Sequence, residues 1–431
     1  MSRISLLLIA NLCVIAISAQ QQLHIHHINI ENGDATLIGI YDVSAQKYTS
    51  KILIDGGQSS PDAMLLPYIR KMVGGDAASF HFEYVILSHY HNDHYNGLLA
   101  IQDGRISADS IIDPGGYRVA TYFTHSATSG TAPDSLKKAM AWLNALKKAT
   151  HHQPDPFVKG RSKIMIRYGS NASSTIGNSI VIGKVGDNEV DLRCIAGWGN
   201  TLSGNGAVVR NPRPKESNAN NFTLAFILSC GQFRYFIGGD MGGKSSGSYI
   251  DQETTVTKFL ENEYPNSLSS TGSIALKGHV CGFKSNHHGS NNSNTAGFME
   301  DMHPAITVTS AGNNQNWHLP NPEYLKRLAE VKPLSDSSDL TDSTFNRGVY
   351  FTNLYNFTNF PSKTKANALF KNKSGISYDF GNNTAAGKGS YLIKITDEVA
   401  IAEKSLFEVG RVDINKAVPY KRLAIFSCHS K

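Results

Sequence analysis

One hexapeptide constrains this chain more than any other segment. It spans residues 89–94, reads His-Tyr-His-Asn-Asp-His, and follows the apolar run Tyr84–Ser88. Such a run is typical of a buried strand, and strand ends are where α/β folds usually place chemistry. On a tight turn, the first two histidines can converge on one ion, while the aspartate and the last histidine are directed to a second. Imidazoles and a carboxylate suit Zn²⁺, so the predicted metal ligands are His89, His91, Asp93 and His94.

The hexapeptide resembles the H-x-H-x-D-H signature of metallo-β-lactamase-fold hydrolases, and three other segments follow in that family's order. Asp55, which precedes Gly56-Gly57, resembles the first motif, where an aspartate supports the metal loop. Asp240 resembles the carboxylate that bridges the two ions. The segment Asn286–Ser290 resembles the motif that carries the last histidine ligand.

One subgroup of that family is more similar than the rest, the one typified by the hydrolase domain of the DNA-uptake channel ComEC. The similarity covers about residues 23–110 and 218–355. The segments that carry it are Asn32–Ala35, His287–Ser290, Asn313–Pro320, Glu323–Leu328 and, more weakly, Arg347–Asn353.

The chain departs from many family members because no histidine precedes Asp240 at a strand end. The corresponding position lies near Asn220-Asn221, and Asn221 is taken as the residue beside the metal site. The resemblance therefore implies that His89, His91, Asp240 and water hold the first ion. Two divalent ions are expected, with Zn²⁺ preferred and Mn²⁺ or Fe²⁺ as alternatives for nitrogen and oxygen ligands.

The adjacent residues His287 and His288 are both candidates for the last ligand. Neighbouring residues on an extended segment point in opposite directions, so we expect one to bind metal and the other to contact a hydrogen-bond partner or the substrate. Analogy with G-H-G in relatives favours His288 as the ligand. Asp93 is expected to orient the nucleophile and carry its proton. His318 is expected to assist the leaving group, or else to be an ordinary loop histidine beside Pro320.

The resemblance implies an α/β fold, a four-layer αββα sandwich of two mixed sheets between helices. We expect the hydrolase domain to cover residues 20–355, with an insertion at about 115–217 that contains a helix from about 134 to 149. The extension 356–431 is expected to complete the second sheet or to form a small appendage.

The first nineteen residues have the pattern of an export signal, with Arg3, an apolar run from Ile4 to Ile17, and Ser18-Ala19 before Gln20. The protein is therefore expected to be secreted or periplasmic. No later run approaches the length of a membrane span, so no membrane insertion is expected. Four cysteines remain after the signal, and either two disulfides or buried thiols are consistent with their spacing.

The formal net charge of +6 is mild. It favours the approach of an anionic substrate but does not by itself indicate nucleic-acid binding. The resemblance implies a hydrolase that uses a metal-bridged hydroxide, acting on a small-molecule or polymer substrate. Phosphodiesters, in nucleic acid or a phosphorylated polymer, are preferred over other esters, lactones and amides. A binding protein without turnover is the alternative class, and the presence of both Asp93 and Asp240 argues against it.

Overall fold

The computed structural model describes most of the chain. The predicted signal at 1–19 and much of the segment 115–175 lie outside the described residues. The described residues are 21–74, 78–114, 140–152, 164–167, 176–197, 199–210, 218–244, 249–263, 280–312, 317–331, 344–345, 347–354, 356–357, 360–371, 373, 376–380, 389–396 and 406–427.

The strands form two large mixed sheets. In the first part of the chain the strands are β1 (Gln21–His27), β2 (Thr36–Asp42), β3 (Lys47–Ile54), β4 (Phe80–Ile86), β5 (Ile106–Asp113) and β6 (Ile164–Arg167). In the middle they are β7 (Ser179–Val185), β8 (Asn188–Gly197), β9 (Asn200–Leu202), β10 (Val208–Arg210), β11 (Ala225–Cys230), β12 (Phe233–Ile237), β13 (Gly282–Lys284) and β14 (Ile306–Thr309). The last are β15 (Thr344–Phe345), β16 (Arg347–Phe351), β17 (Asn356–Phe357), β18 (Phe360–Pro361), β19 (Ile376–Asp379), β20 (Ser390–Thr396), β21 (Leu406–Val412) and β22 (Tyr420–Ser427).

The first sheet has the order β15-β22-β21-β20-β1-β2-β3-β4-β5-β6. The second has the order β10-β9-β8-β11-β12-β13-β14-β16-β19, with β7 also paired to β8, while β17 and β18 form a separate hairpin-like pair. The described part of the expected insertion therefore belongs to both sheets, since it supplies β6 to the first and β7 to β10 to the second.

Seven α-helices lie within the described residues, and three short 3₁₀ turns accompany them. The helices are α1 (Leu65–Val73), α2 (Asn92–Tyr95), α3 (Met140–His152), α4 (Glu253–Glu263), α5 (Ala296–Met302), α6 (Pro322–Glu330) and α7 (Ser362–Phe370). The 3₁₀ turns are Asn96–Asp103, Ala219–Phe222 and Asn286–Gly289. No helix in this part of the chain combines the length and the apolar character that a membrane span needs.

Parallel pairing brings one set of strand ends to a common edge of the first sheet. β3, β4 and β5 are parallel neighbours, and Ile54 lies opposite Ile86, which lies opposite Ile112. Their carboxyl ends therefore lie at the same edge. Asp55 and the predicted metal-binding turn both start there.

The second sheet repeats this arrangement. β12, β13 and β14 are parallel, with Ile237 opposite Lys284 and Lys284 opposite Val308. The turn that leads to Asp240 and the turn that carries His287 and His288 consequently start from neighbouring strand ends.

Buried apolar side chains connect the sheets and helices. One cluster contains residues of both sheets, such as Ile38 and Phe236, together with residues of α4, α5 and α6. A second cluster joins residues of the first sheet, such as Leu53, to α1 and α3, where Trp142 is fully buried. Because both sheets share a hydrophobic core, the edge that carries Asp55 and the turn at 89–94 is held next to the edge that carries Asp240 and His288.

The C-terminal extension does not form one appendage. β19 pairs with β16 in the second sheet, whereas β20 pairs with β1 in the first sheet and is followed there by β21 and β22. We expected it to complete the second sheet or to form a small appendage, and β19 is the described strand of it that joins the second sheet. β20 instead pairs with β1 and is buried on both faces, because Tyr391 and Ile393 pack in one hydrophobic cluster and Leu392 packs in the other.

The cysteines follow neither expected pattern as a whole. Cys194 and Cys230 are buried thiols, whereas Cys281 is disulfide-bonded. Its partner lies outside the described residues. The two thiols sit in the shared core among apolar neighbours, where free cysteine packs as a small hydrophobic side chain.

Candidate metal centre

The predicted metal-binding turn follows β4 directly. Leu87 N–H donates to Ile112 O at 2.8 Å, so the sheet pairing continues to the start of the turn. α2 begins one residue after His91 and turns His94 back toward the sheet. His89 and His94 are fully buried, and their ring centroids lie 4.1 Å apart. The turn therefore directs His89 and His94 inward, whereas His91 is partly exposed.

Asp240 lies between the histidines of both sheets and is 1% exposed. Its Oδ1 lies 3.3 Å from His94 Nε2 and 3.4 Å from His288 Nε2. Its Oδ2 lies 3.6 Å from His89 Nε2 and 3.7 Å from His287 Nε2. The two oxygens of one carboxylate thus face different histidines.

Two sets of side chains have potential ligand atoms that all lie within 4.8 Å of one another. The first set, which we call the Asp34 group, consists of Asp34, His94, Asp240 and His288. The second, the His91 group, consists of His89, His91 and Asp240. Asp240 belongs to both.

The Asp34 group has the polar atoms that a cation would satisfy. Asp34 Oδ1, His94 Nε2, Asp240 Oδ1 and His288 Nε2 are buried and have no hydrogen-bond partner within the described structure. A buried polar atom without a partner costs about 1–3 kcal/mol. Four such atoms in one group fit coordination to a metal ion, for which imidazole nitrogen and carboxylate oxygen are suitable ligands.

The charge balance at the site also favours a cation. Burial would lower the pKa of His288, but Asp240 and Asp34 raise that pKa to about 10. Burial also acts against charge on His94, yet Asp240 and Asp55 hold the pKa of His94 well above its ordinary value. The carboxylates therefore create a strongly negative environment, which a divalent ion would neutralise.

Asp55 anchors the turn that carries His89 and His94. Its Oδ1 accepts from Ser88 N–H at 2.7 Å, and its Oδ2 accepts from Ser88 Oγ at 2.7 Å. His94 Nδ1 lies 2.8 Å from Asp55 Oδ2. A proton held on Nδ1 by this contact leaves Nε2 of the same ring available as a metal ligand.

We expect Asp55→Asn to weaken metal affinity by about 10–100-fold, the usual cost of losing a partner of a ligating histidine. Asn tolerates the backbone φ of 59° at this position, so the change removes charge without straining the turn. The measurement is a competition titration with a chromophoric chelator. Asp62→Asn, on the exposed Arg105 pair, is the control. An Asp55→Asn affinity equal to that of the control would contradict the role.

Asp34 is a potential ligand that sequence reasoning missed. It is 2% exposed, and its Oδ2 pairs with the ammonium group of buried Lys284. Its N–H donates to Asp93 O at 3.2 Å. This contact requires Gly33, because a Cβ there would lie 1.6 Å from Asp93 O. The signal was present, since the motif Asn32–Ala35 was recognised, but no chemical role was assigned to its aspartate.

The premise used for His287 and His288 was wrong. They are not on an extended segment but in the 3₁₀ turn, with φ of 48° and 52°. In this left-handed conformation both rings line the same cleft, with centroids 6.1 Å apart. His288 belongs to the Asp34 group, whereas His287 lies outside both groups. The preference for His288 as a ligand agrees with this placement.

Asp93 lines the cleft beside the candidate metal centre, whereas His318 does not. The side chain of Asp93 is 24% exposed, lines the cleft, and has Oδ2 3.5 Å from His288 Nε2. It lies outside both ligand groups. His318 is exposed and is not among the residues that line the cleft, although its neighbours Trp317 and Leu319 are. The structure thus brings Asp93 to the site but turns His318 away from the cleft wall.

Asn220, rather than Asn221, faces the cleft. Asn221 Oδ1 accepts from Ile250 N–H at 3.0 Å, which ties it to a neighbouring loop. Asn220 is 2% exposed and has Nδ2 3.3 Å from His287 Nε2. Asn221, which we expected beside the metal site, therefore bonds to the loop at Ile250, and Asn220 is the residue of the pair that contacts His287.

Glu253, at the start of α4, holds the turn that carries the two histidines. Its Oε1 accepts from Asn286 Nδ2 at 2.8 Å and from Asn294 N–H at 2.5 Å. Its Oε2 accepts from Thr295 N–H at 2.9 Å and from Thr295 Oγ1 at 3.1 Å. Four donors to one buried carboxylate fix both ends of the segment around His288. Sequence reasoning did not identify this residue, because an isolated glutamate in a helix gives no such signal.

A cleft of about 720 Å³ opens over Asp240. His91, Asp93, His287 and His288 line it together with polar and aromatic residues. This volume lies in the range of small-molecule sites. Both ligand groups are therefore accessible from one opening.

No protein-family model matches the chain, and no curated protein matches it either. The described structure establishes a buried cluster of histidines and aspartates that could hold a metal ion.

Proposed function

We propose that this protein is a metal-dependent hydrolase with two ions at the Asp34 and His91 groups. The observation that carries the proposal is the position of Asp240. One of its oxygens faces His94 and His288, and the other faces His89. A carboxylate between two sets of ligands is the arrangement that a bridging ligand requires. Two ions roughly 3.5–4 Å apart would lower the pKa of water and stabilise developing negative charge.

The four-layer αββα sandwich is the arrangement that best accounts for the two hydrophobic clusters. One contains both sheets with α4, α5 and α6, and the other contains the first sheet with α1 and α3. This arrangement supports the resemblance to metallo-β-lactamase-fold hydrolases and, within them, to the ComEC-like subgroup. Export of the protein remains part of the proposal and rests on the signal-like segment 1–19.

Zn²⁺ is the preferred ion, with Mn²⁺ or Fe²⁺ as alternatives. The Asp34 group offers two imidazoles and two carboxylates, a set that suits Zn²⁺. The His91 group offers two imidazoles and the shared Asp240, so it supplies fewer protein ligands. We expect the His91 group to hold its ion more weakly.

The residues of the cleft can perform the remaining steps. Asp93 lies beside His288 at the cleft wall, where its carboxylate can orient the attacking water and accept its proton. His287, next to Asn220 and outside both groups, is placed to contact the substrate. We therefore assign contact with the substrate to His287. From the sequence, we had expected the substrate to be contacted by whichever of His287 and His288 does not bind metal, and the leaving group to be assisted by His318.

The preferred substrate class is a phosphodiester, with carboxylic esters, lactones and amides as the second choice. The preference rests on the ComEC-like motifs, among which His287–Ser290 and Asn32–Ala35 both contribute residues to the site. A cation-rich centre that stabilises negative charge suits phosphoryl transfer.

The test combines metal analysis with a substrate screen. We expect two ions per chain, and chelator-sensitive hydrolysis of bis-p-nitrophenyl phosphate that exceeds hydrolysis of a lactone or a cephalosporin. Asp93→Ala should retain metal and lose most turnover. Fewer than one ion per chain, together with no chelator-sensitive hydrolysis, would support a binding protein instead. Activity on the lactone or the cephalosporin alone would reject the phosphodiester.

A further inference from the structure

The wall of the cleft carries a tryptophan that is unusually exposed. Trp317 is 72% exposed and lines the cleft. The other exposed large apolar side chains of the described structure are Val181, at 54%, and Val418, at 77%. Exposing an indole forgoes its burial energy, about 25 cal/mol per Å² of apolar surface. An exposed aromatic ring at the mouth of a cleft is consistent with a stacking surface for a ligand.

Carboxamides surround the same opening. Asn220, Asn291, Asn292 and Asn321 all line the cleft. The Oδ1 atom of Asn220 is buried and has no hydrogen-bond partner within the described residues. Tyr249, whose ring lies 5.9 Å from that of His287, is on the same wall. The Oδ1 atoms of Asn291 and Asn321 already accept from Arg327 Nη1 and Glu323 N–H, so these two amides are left with their N–H groups, whereas Asn220 provides an acceptor. This wall therefore suits a ligand whose edge has both acceptors and donors, as nucleobases do.

Positive charge is sparse among the described residues of this wall, where Arg327 lies outside the lining and donates to Asn291 Oδ1 at 3.2 Å. No lysine or arginine is among the described residues that line the cleft. Proteins that bind a nucleic-acid strand use a basic groove along several phosphates and show strong salt dependence. The cleft therefore suits a compact substrate with one phosphodiester near the metal centre, and it does not suit a long polyanion.

We propose that the substrate is a compact nucleotide phosphodiester, whose base stacks on Trp317 while the asparagine amides contact its edge. This inference rests on the proposed hydrolase function for the phosphodiester, but base binding can be measured without turnover. It narrows the substrate from polymers in general to molecules of one or two nucleotides.

The first experiment measures binding of adenosine to the full chain by calorimetry, with no phosphate in the probe. We expect Trp317→Ala to weaken binding about tenfold, within the range known for one base–aromatic stack. Trp317→Phe should retain most of the affinity because it keeps an aromatic face. Val418→Ala, at a residue that is 77% exposed and does not line the cleft, should bind as the wild type does.

The second experiment measures hydrolysis of the dinucleotide ApA and of a long single-stranded oligonucleotide. We expect a higher kcat/KM for ApA, and in Trp317→Ala a rise in KM with little change in kcat. Absence of adenosine binding, equal binding by Trp317→Ala and wild type, or preference for the long strand would overturn the proposal. Binding of N-acetylglucosamine in place of adenosine would assign the wall to sugars and also overturn it. Adenosine binding that depends on Trp317, without hydrolysis of any phosphodiester, would support the base site while rejecting the hydrolase function.

Discussion

Asp240→Asn is expected to remove most of the bound metal and to lower the hydrolysis of a phosphodiester by at least about a thousandfold. Loss of one stabilising group for a developing anion costs about 10²–10³ in rate, and here the loss extends to both ligand groups. Asp240 is the residue that the Asp34 and His91 groups share. Asparagine keeps the shape of the side chain but supplies no negative charge between the two sets of histidines.

Two further variants make this experiment specific. His91→Ala removes a member of one group alone, so it should lose one ion per chain where Asp240→Asn loses both. Asp109→Asn, at an exposed surface pair with His81, should retain both metal and activity. The measurement is the metal-to-protein ratio after gel filtration, with kcat/KM determined on the same samples. Wild-type metal content in Asp240→Asn would exclude the bridging role.

Glu253→Ala is expected to destabilise the protein by about 3 kcal/mol, because it leaves buried donors without an acceptor. The donors are the Asn286 amide, two backbone N–H groups and the Thr295 hydroxyl. For a chain of this length, a loss of this size should lower Tm by about 3–4 °C. Metal affinity should fall as well, because Asn286 begins the turn that carries His288.

Glu253→Gln tests whether charge or shape matters at this position. Each oxygen of the Glu253 carboxylate accepts two hydrogen bonds. In a glutamine side chain the NH₂ group replaces one of these oxygens, so its N–H groups would face donors instead of acceptors. We therefore expect the glutamine variant to lose a large part of the stability lost in the alanine variant. Glu261→Ala, in the same helix, is the matched control, and its Tm should stay near that of the wild type. A wild-type Tm in Glu253→Ala would contradict the proposed anchoring of the turn.

Much of the candidate site could be predicted from local patterns. Asp55 follows a short apolar run directly, the hexapeptide at 89–94 follows another after Ser88, and Asp240 comes three residues after Ile237, the last residue of β12. Their side chains meet because β3 and β4 are parallel neighbours in one sheet, as are β12 and β13 in the other. A polar residue immediately after a buried strand is therefore a signal that the sequence itself contains.

Other contributions depend on contacts between distant parts of the chain. Asp34 pairs with Lys284, which is 250 residues away in sequence. Glu253 starts α4, whereas Asn286 starts the 3₁₀ turn after β13, and no periodic pattern in the sequence connects the two residues. Such pairs arise only when the two sheet edges pack together, and a single sequence gives no means of matching them.

Local backbone conformation also escaped prediction. Both His287 and His288 have positive φ, a region that non-glycine residues adopt at a cost of about 1–3 kcal/mol each when the surrounding structure compensates for it. We had assumed an extended segment because that conformation is energetically more favourable for histidine. On an extended segment the rings of His287 and His288 would point in opposite directions. His318 likewise has a φ of 49°, and its side chain is exposed while its neighbours line the cleft.

The sequence by itself determined which residue types the candidate metal centre contains, because imidazoles and carboxylates near strand ends are local and recognisable features. Only the tertiary structure decided which of them meet. It placed Asp240 between two groups, added Asp34 to one of them, and left His287 facing the cleft. The physical reason is that a metal site requires ligand atoms a few ångströms apart, and that proximity comes from the packing of two sheets rather than from spacing along the chain.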